Sequence, residues 1–321
     1  MAADVRAAAM PDDPLLVVAL GAGALQRRGQ PLEAATMLVN VRHAAAHLAR
    51  LAQRYRLVVT HGNGPQVGLL ARQNGAHREV QPCPLDVLDA QSEGLIGYLL
   101  EQEIANQLGA GRHVATLLTR VEIDPDDPAM AQATKPVGPA YAKAERDALA
   151  RERGWRFLPG ADGYRRAVPS PAPRRVLNLQ AVQALLERGM VVVCAGGGGI
   201  PVLRLPNGEL QGAEAVIDKD SVSSLLARQL QAQMFIVATD VPAVALDWCQ
   251  PTQRTIRSAP PRALRTLPFA AGSMAPKVAA ACDFAEATGH PAVIGNLADA
   301  DRFASHEAGT WISTELGGLR T

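Results

Sequence analysis

Of the 32 basic residues in this chain, only Lys135, Lys143, Lys219 and Lys277 are lysine; the rest are arginine. A lysine ammonium is a compact point charge and an arginine guanidinium is a planar fork, so the few lysines that survive mark places where only an ammonium fits. Four lysines must fall somewhere by chance, but three of these sit in loop-like or helix-start surroundings: ATKPVGP, IDKDS and GSMAPK. Asp218 and Asp220 flank the second. Lysines from three separate segments, oriented by a carboxylate, suit phosphoryl transfer, in which charge spreads over the oxygens of the moving group.

Four glycine-rich stretches supply the other half of such a site: GAGAL (21–25), HGNGPQ (61–66), AGGGGIP (195–201) and AGSMAPK (271–277). Each is read as a turn after a strand, offering backbone amides unobstructed by Cβ atoms to a phosphate or carboxylate. None is a GxxxxGK[ST] loop, and GAGAL lacks the last glycine of GxGxxG, so a Walker-type ATPase and a Rossmann dehydrogenase are both poorly supported. His61 reads either as a general base or as a polar strand-end residue that orients its turn. Asn63 is either a turn residue or a substrate hydrogen-bonder. Thr239 and Asp240, closing MFIVATD, suit a cap or a nucleotide contact.

The elements that must position these groups alternate. Short apolar runs at 15–20, 56–60, 113–118, 190–194, 234–238 and 291–294 read as buried strands, and the first two end abruptly in glycine turns. Helical periods cover 31–54, 92–108, 179–188, 221–231 and 277–288. That rhythm predicts an α/β fold, a three-layer αβα sandwich with a mainly parallel central sheet, whose ligands sit beyond the carboxyl ends of the strands. Residues 121–175 break the rhythm and read as a small protruding subdomain. Seven arginines fall between Arg151 and Arg175, among Glu152 and Asp162. A solvated surface or a lid over an anionic substrate would both look so.

The whole chain has 321 residues, 48% of them apolar and 20% charged, with 32 basic against 31 acidic. This balance argues against a disordered tail protein and against a nucleic-acid binder. No apolar run reaches the roughly 18 residues that span a bilayer. The expected layout is a flexible leader over 1–14, one α/β domain over 15–314 and a tail over 315–321, in a cytoplasmic protein. The four cysteines lie far apart, without metal-ligand spacing, and read as structural thiols; no resident metal is expected.

Over about Leu16 to Trp311 the sequence resembles carbamate kinase, of the amino acid kinase superfamily. The resemblance rests on VVALGAGAL, RGQPL, VVTHGNGPQVGLL, DPDDPA, TKPVGPAY, CAGGGGIPV, AVIDKD, TDV, FAAGSMAPKV and GHPAVIG. HGNGPQVGLL followed by TKPVGP is highly specific. The resemblance implies a homodimer that transfers phosphate reversibly between carbamoyl phosphate and ADP, with Mg²⁺ accompanying the nucleotide. It implies that Lys135 reaches in from the subdomain, that Lys219 and Lys277 contact the phosphate, and that Asp220 holds the lysines. Gly21, Ala22 and Gly23, with Gly62, Asn63 and Gly64, would bind the phosphoryl and carbamate ends, helped by Gly197 and Gly198. Thr239, Asp240, Ser273 and Met274 would lie along the nucleotide.

The sequence departs from the family's pattern at several of these places. Where the family reads GGNAL, this chain reads GAGAL, so Gly23 replaces an asparagine and Ala22 a glycine. TDVDAVY becomes TDVPAVA, placing Pro242 and Ala245 where an acid and an aromatic stand. GSMGPK, DKDLAA and TKPVGPFY become GSMAPK, DKDSVS and TKPVGPAY. Three readings therefore remain: a carbamate kinase, a same-fold kinase with another small acceptor, and a degenerate nucleotide-binding or regulatory dimer.

Overall fold

The computed structural model describes residues 13–27, 29–76, 81–160 and 162–321; the leader expected over 1–14 lies almost wholly outside them. Its centre is an eight-stranded sheet in the order Ser258–Ala259, Thr310–Ile312, Ala292–Asn296, Met234–Thr239, Leu15–Leu20, Arg56–His61, Val191–Cys194, Val114–Leu117. Every neighbouring pair is parallel except Ala292–Asn296 with Thr310–Ile312.

Alternation along the strands explains the layers. Leu15, Val17 and Ala19 enter one apolar core while Leu16, Val18 and Leu20 enter the other, and Phe235 and Ile236 divide the same way. A continuous apolar run is what a strand covered on both faces requires. Helices Leu179–Glu187, Lys219–Gln229 and Met274–Thr288 fill the first core with Val182, Leu226 and Phe284. Helices Ala34–Ala52 and Leu85–Leu108 fill the second with Val41, Leu48, Ile96 and Leu100.

From Leu15–Leu20 the chain winds outward to Arg56–His61 on one side and returns to Met234–Thr239 on the other. The crevice at such a reversal is where open α/β sheets bind ligands. Here Gly21 N–H donates to Ala238 O at 3.0 Å, so the GAGAL segment and Thr239 emerge side by side.

Residues 121–175 are not one excursion. Arg120–Ile123 and Pro173–Val176 belong to a four-stranded sheet with Ile200–Arg204 and Leu210–Gly212. Beyond that sheet, Lys135–Tyr141, Gly163–Val168 and Arg156–Gly160 form a three-stranded antiparallel sheet with helix Lys143–Arg153 beside it. Val137 and Val168 seat this sheet on Val67, Ala71, Leu85 and Leu88. At the other end of the chain, Arg320 exchanges backbone hydrogen bonds of 2.8 Å with Arg257 and Ser258, tying the last residues to the sheet edge.

Candidate active site

Leu20 closes the first strand, and its carbonyl collects two donors: Gly62 N–H at 3.0 Å and Lys219 Nζ at 3.1 Å. Lys219 therefore lies beneath both the 21–25 and the 61–64 segments. It is the first residue of helix Lys219–Gln229, whose N-cap, Asp218, accepts Ser221 N–H at 3.1 Å. A capping aspartate followed by a polar first turn starts a helix here and aims Lys219 along the strand ends. Ser223 Oγ donates to Lys219 O at 2.7 Å and meets Thr60 Oγ1 at 2.6 Å, fixing this turn to the second strand.

Asp220 gathers the charges. Its Oδ1 stands 2.7 Å from Lys219 Nζ and its Oδ2 accepts from Lys277 Nζ at 2.9 Å. Burial alone would raise the Asp220 carboxyl, but the two ammoniums outweigh it and hold it at about 2. Burial lowers the Lys219 ammonium, and Asp220 opposes that loss. Lys135 arrives from strand Lys135–Tyr141: its Nζ donates to Ile217 O at 3.1 Å and lies 3.5 Å from Asp218 Oδ2. Three lysines from three segments thus meet around residues 217–220.

The glycine stretches differ in what they do. Ala22–Leu25 is a single helical turn, and Gly64 opens helix Gly64–Ala76, an element that the sequence reading passed over. AGSMAPK does not follow a strand; it follows the short helix Pro261–Leu264 and a loop, and supplies Ser273 as N-cap of Met274–Thr288. Lys277 reaches Asp220 because that helix begins at the site. In the third stretch Gly198 N–H is bonded to Ala195 O at 3.2 Å, so this amide serves the turn itself. A Cβ on Gly196 would strike the His61 ring and one on Gly197 the Asn63 amide, which is why glycine stands there.

His61 is fully buried, its Nδ1 faces Gly62 O at 3.3 Å, and burial lowers it to about 4. It is neutral at pH 7 and packed on a turn, as an orienting residue would be. Asn63 turns away from the crevice: Nδ2 donates to Asp89 Oδ1 at 3.1 Å and Ser92 Oγ at 2.8 Å. On the rim, Thr239 Oγ1 donates to the exposed Asp240 Oδ1 at 3.1 Å. Ser273 is exposed and Met274 half-buried, one turn before Lys277. A Cβ on Gly23 would meet Asp240 Cβ at 3.7 Å.

Asp89 and Glu93 are the residues that sequence reasoning missed. Glu93 Oε1 accepts Gly196 N–H at 2.9 Å and Oε2 accepts Thr119 N–H at 3.1 Å, stapling two strand-end turns together. Burial pushes Glu93 up to about 8 and raises Asp89 well above the carboxylate range, against the pull of Asn63. The available signal was two acids one turn apart on the same helix face as Leu85, Leu88, Ile96 and Leu100, all buried.

The amino acid kinase family model matches residues 14–296. The chain belongs to the amino acid kinase family. Among its relatives in that family, a carbamate kinase from Haemophilus influenzae is 49% identical over 304 residues, covering 95% of this chain and 98% of the relative. One from Pyrococcus furiosus is 40% identical, covering 92% and 98%. Of solved structures, carbamate kinase from Giardia lamblia bound to AMP-PNP superposes with a TM-score of 0.87 at 35% identity, covering 95% of this chain and 99% of that one. Within the amino acid kinase family the chain is carbamate kinase-like over nearly its full length.

Proposed function

We propose that the protein transfers a phosphoryl group reversibly between carbamoyl phosphate and ADP, yielding ATP and carbamate. The observation that carries this reading is Asp220 holding Lys219 and Lys277 on its two oxygens at the end of the first strand. In the forward direction the bond from phosphorus to the carbamate oxygen breaks while a bond to the terminal oxygen of ADP forms. Negative charge spreads over the phosphoryl oxygens in flight, and Lys135, Lys219 and Lys277 neutralise it. Asp220 keeps two of the ammoniums from repelling each other apart and takes no proton itself.

Gly21, Ala22, Gly23, Gly62, Asn63 and Gly64 line the phosphoryl and carbamate ends; the amides of Gly21 and Gly62 are held by Ala238 O and Leu20 O, so those of Ala22, Gly23, Asn63 and Gly64 are the donors, and Gly197 and Gly198 shape the turn behind Asn63. Thr239, Asp240, Ser273 and Met274 flank the nucleotide, and Mg²⁺ enters with its phosphates as part of the substrate. The working unit is a homodimer in the cytoplasm. Leu95, Tyr98 and Leu118 are 40%, 59% and 50% exposed on one side of helix Leu85–Leu108, where Leu118 packs beside Gly94. An apolar patch of that kind suits a self-complementary contact with a second copy. Among the described residues no helix is long and apolar enough to cross a membrane.

The deciding assay is ATP formation from ADP, Mg²⁺ and fresh carbamoyl phosphate, beside a Lys277→Ala control that excludes a contaminating kinase. Turnover lost in the control supports the assignment; a folded protein without turnover moves it to another acceptor or to a binding role. A different small acceptor is the second reading, favoured by the side-chain space left open at Gly23.

A further inference from the structure

The two most specific motifs in the sequence, HGNGPQVGLL and TKPVGP, touch each other through glycines. A Cβ on Gly68 would run into Gly138 Cα and lie 2.7 Å from Gly138 N, while a Cβ on Gly138 would lie 3.1 Å from Gly68 Cα. Gly138 has φ 78°, and the register of its strand with Gly163–Val168 shifts between Val137 and Tyr141, so the strand bulges where it meets the helix. Side chains can adjust to a neighbour by changing rotamer. Two apposed backbones cannot, so this contact fixes the separation of the lid strand from helix Gly64–Ala76.

The same helix takes further contacts from the lid. Arg72 stands 5.9 Å over the Tyr141 ring and 3.9 Å from Glu145 Oε1, and Arg153 Nη2 donates to Gly75 O at 3.0 Å. At its other end the helix grows out of the 61–64 turn, with Val67 N–H on Asn63 O at 2.9 Å. One rigid element therefore carries the acceptor turn at its N-terminus and the lid along its length. Lys135 lies only three residues before Gly138 on the lid strand.

We propose that the Gly68–Gly138 contact is the seat that sets Lys135 against the Asn63–Gly64 turn, which makes Gly68 a positioning residue for phosphoryl transfer. This rests on the placing of Lys135 at the reaction centre. An added methyl would lift the lid strand by on the order of 1 Å, and a misplacement of about that size costs around 100-fold in rate.

Gly68→Ala is expected to lower kcat by about 100-fold while KM for ADP, bound at the Thr239 and Ser273 rim, changes by less than about threefold. The decisive measurement is a double-mutant cycle with Lys135→Ala. If Gly68 acts through Lys135, Gly68→Ala costs little more once that lysine is gone. A kcat unchanged in Gly68→Ala, or a full further loss in the Lys135→Ala background, overturns the proposal and leaves the assignment of Lys135 standing. Full activity of Lys135→Ala overturns both. Gly138→Ala would add the strain of an alanine at φ 78°, so if Gly68→Ala does not fold the same cycle is run with Val137→Ala, which loosens the seat on Val67 and Ala71 and leaves both glycines in place.

Discussion

Lys277 Nζ donates to Asp220 Oδ2 at 2.9 Å, joining the first turns of two helices whose residues stand 57 apart in sequence. With Lys219 on the other oxygen, one buried carboxylate balances two ammoniums before any substrate arrives. Asp220→Asn leaves those ammoniums facing each other without a counter-charge. The expected result is a loss of about 100- to 1000-fold in kcat, with a fall in unfolding free energy of about 3 to 5 kcal/mol. Steady-state kinetics and urea melts measure both; a kcat within tenfold of the parent would remove Asp220 from the reaction centre.

Glu93 and His61 make opposite contributions to stability against pH. Burial raises Glu93 to about 8, so between its ordinary value of 4.5 and that point the folded protein keeps a proton that the unfolded chain has lost. Stability from this group is full below 4.5 and declines as pH rises, by up to about 1.4 kcal/mol per unit. His61, lowered from 6.5 to about 4, is the reverse: the unfolded chain takes the proton first, and stability declines as pH falls through that window. Above 6.5, of these two only Glu93 acts. The urea midpoint of Glu93→Gln relative to the parent should therefore climb between pH 6.5 and 8. A flat difference over that range would mean that Glu93 ionises normally.

The apolar patch on helix Leu85–Leu108 gives a prediction about assembly. Tyr98 is 59% exposed, and its hydroxyl donates to Gln102 on the same helix, so an arginine there is harmless to the isolated subunit. In a dimer built on this face it would bury a charge at the contact. The parent is expected to sediment as a dimer and Tyr98→Arg, at the same concentration, as a monomer with an unchanged far-ultraviolet spectrum. A variant that stays dimeric would place the contact elsewhere.

The sheet was legible because strands such as Leu15–Leu20 are apolar at every position, a pattern that only cover on both faces explains. The lysines were legible because arginine is the chain's default cation. Helix Gly64–Ala76 was not, since Gly64, Pro65, Gly68 and Gly75 mask its period, and Gly68 is glycine for the sake of a lid far away in sequence. Asp89 and Glu93 look like solvated helix charges until the turns they hold are known. AGSMAPK was placed after a strand because a glycine turn before a helix usually follows one, whereas here a four-residue helix precedes it.

Gly23 is where the departure from the family's pattern bears most directly on rate. The backbone of Ala22–Leu25 is helical, and the atoms nearest to a Cβ at position 23 would be Asp240 Cβ, Cγ and Oδ2 at 3.7, 3.8 and 3.9 Å, which is ordinary contact. Gly23→Asn therefore fits without displacing the turn and should leave unfolding free energy within about 0.5 kcal/mol of the parent. If the 21–25 segment binds the phosphoryl group as proposed, an amide there adds one donor to it, and a single such donor is worth about 100- to 1000-fold when fully aimed at the reacting oxygens. Part of its capacity will go to Asp240, so the expected gain in kcat with carbamoyl phosphate and ADP is about tenfold. No change would mean that backbone amides already satisfy that oxygen. A loss of activity would mean that the open space at Gly23 is occupied by the natural acceptor, and carbamate would then give way to a larger acid.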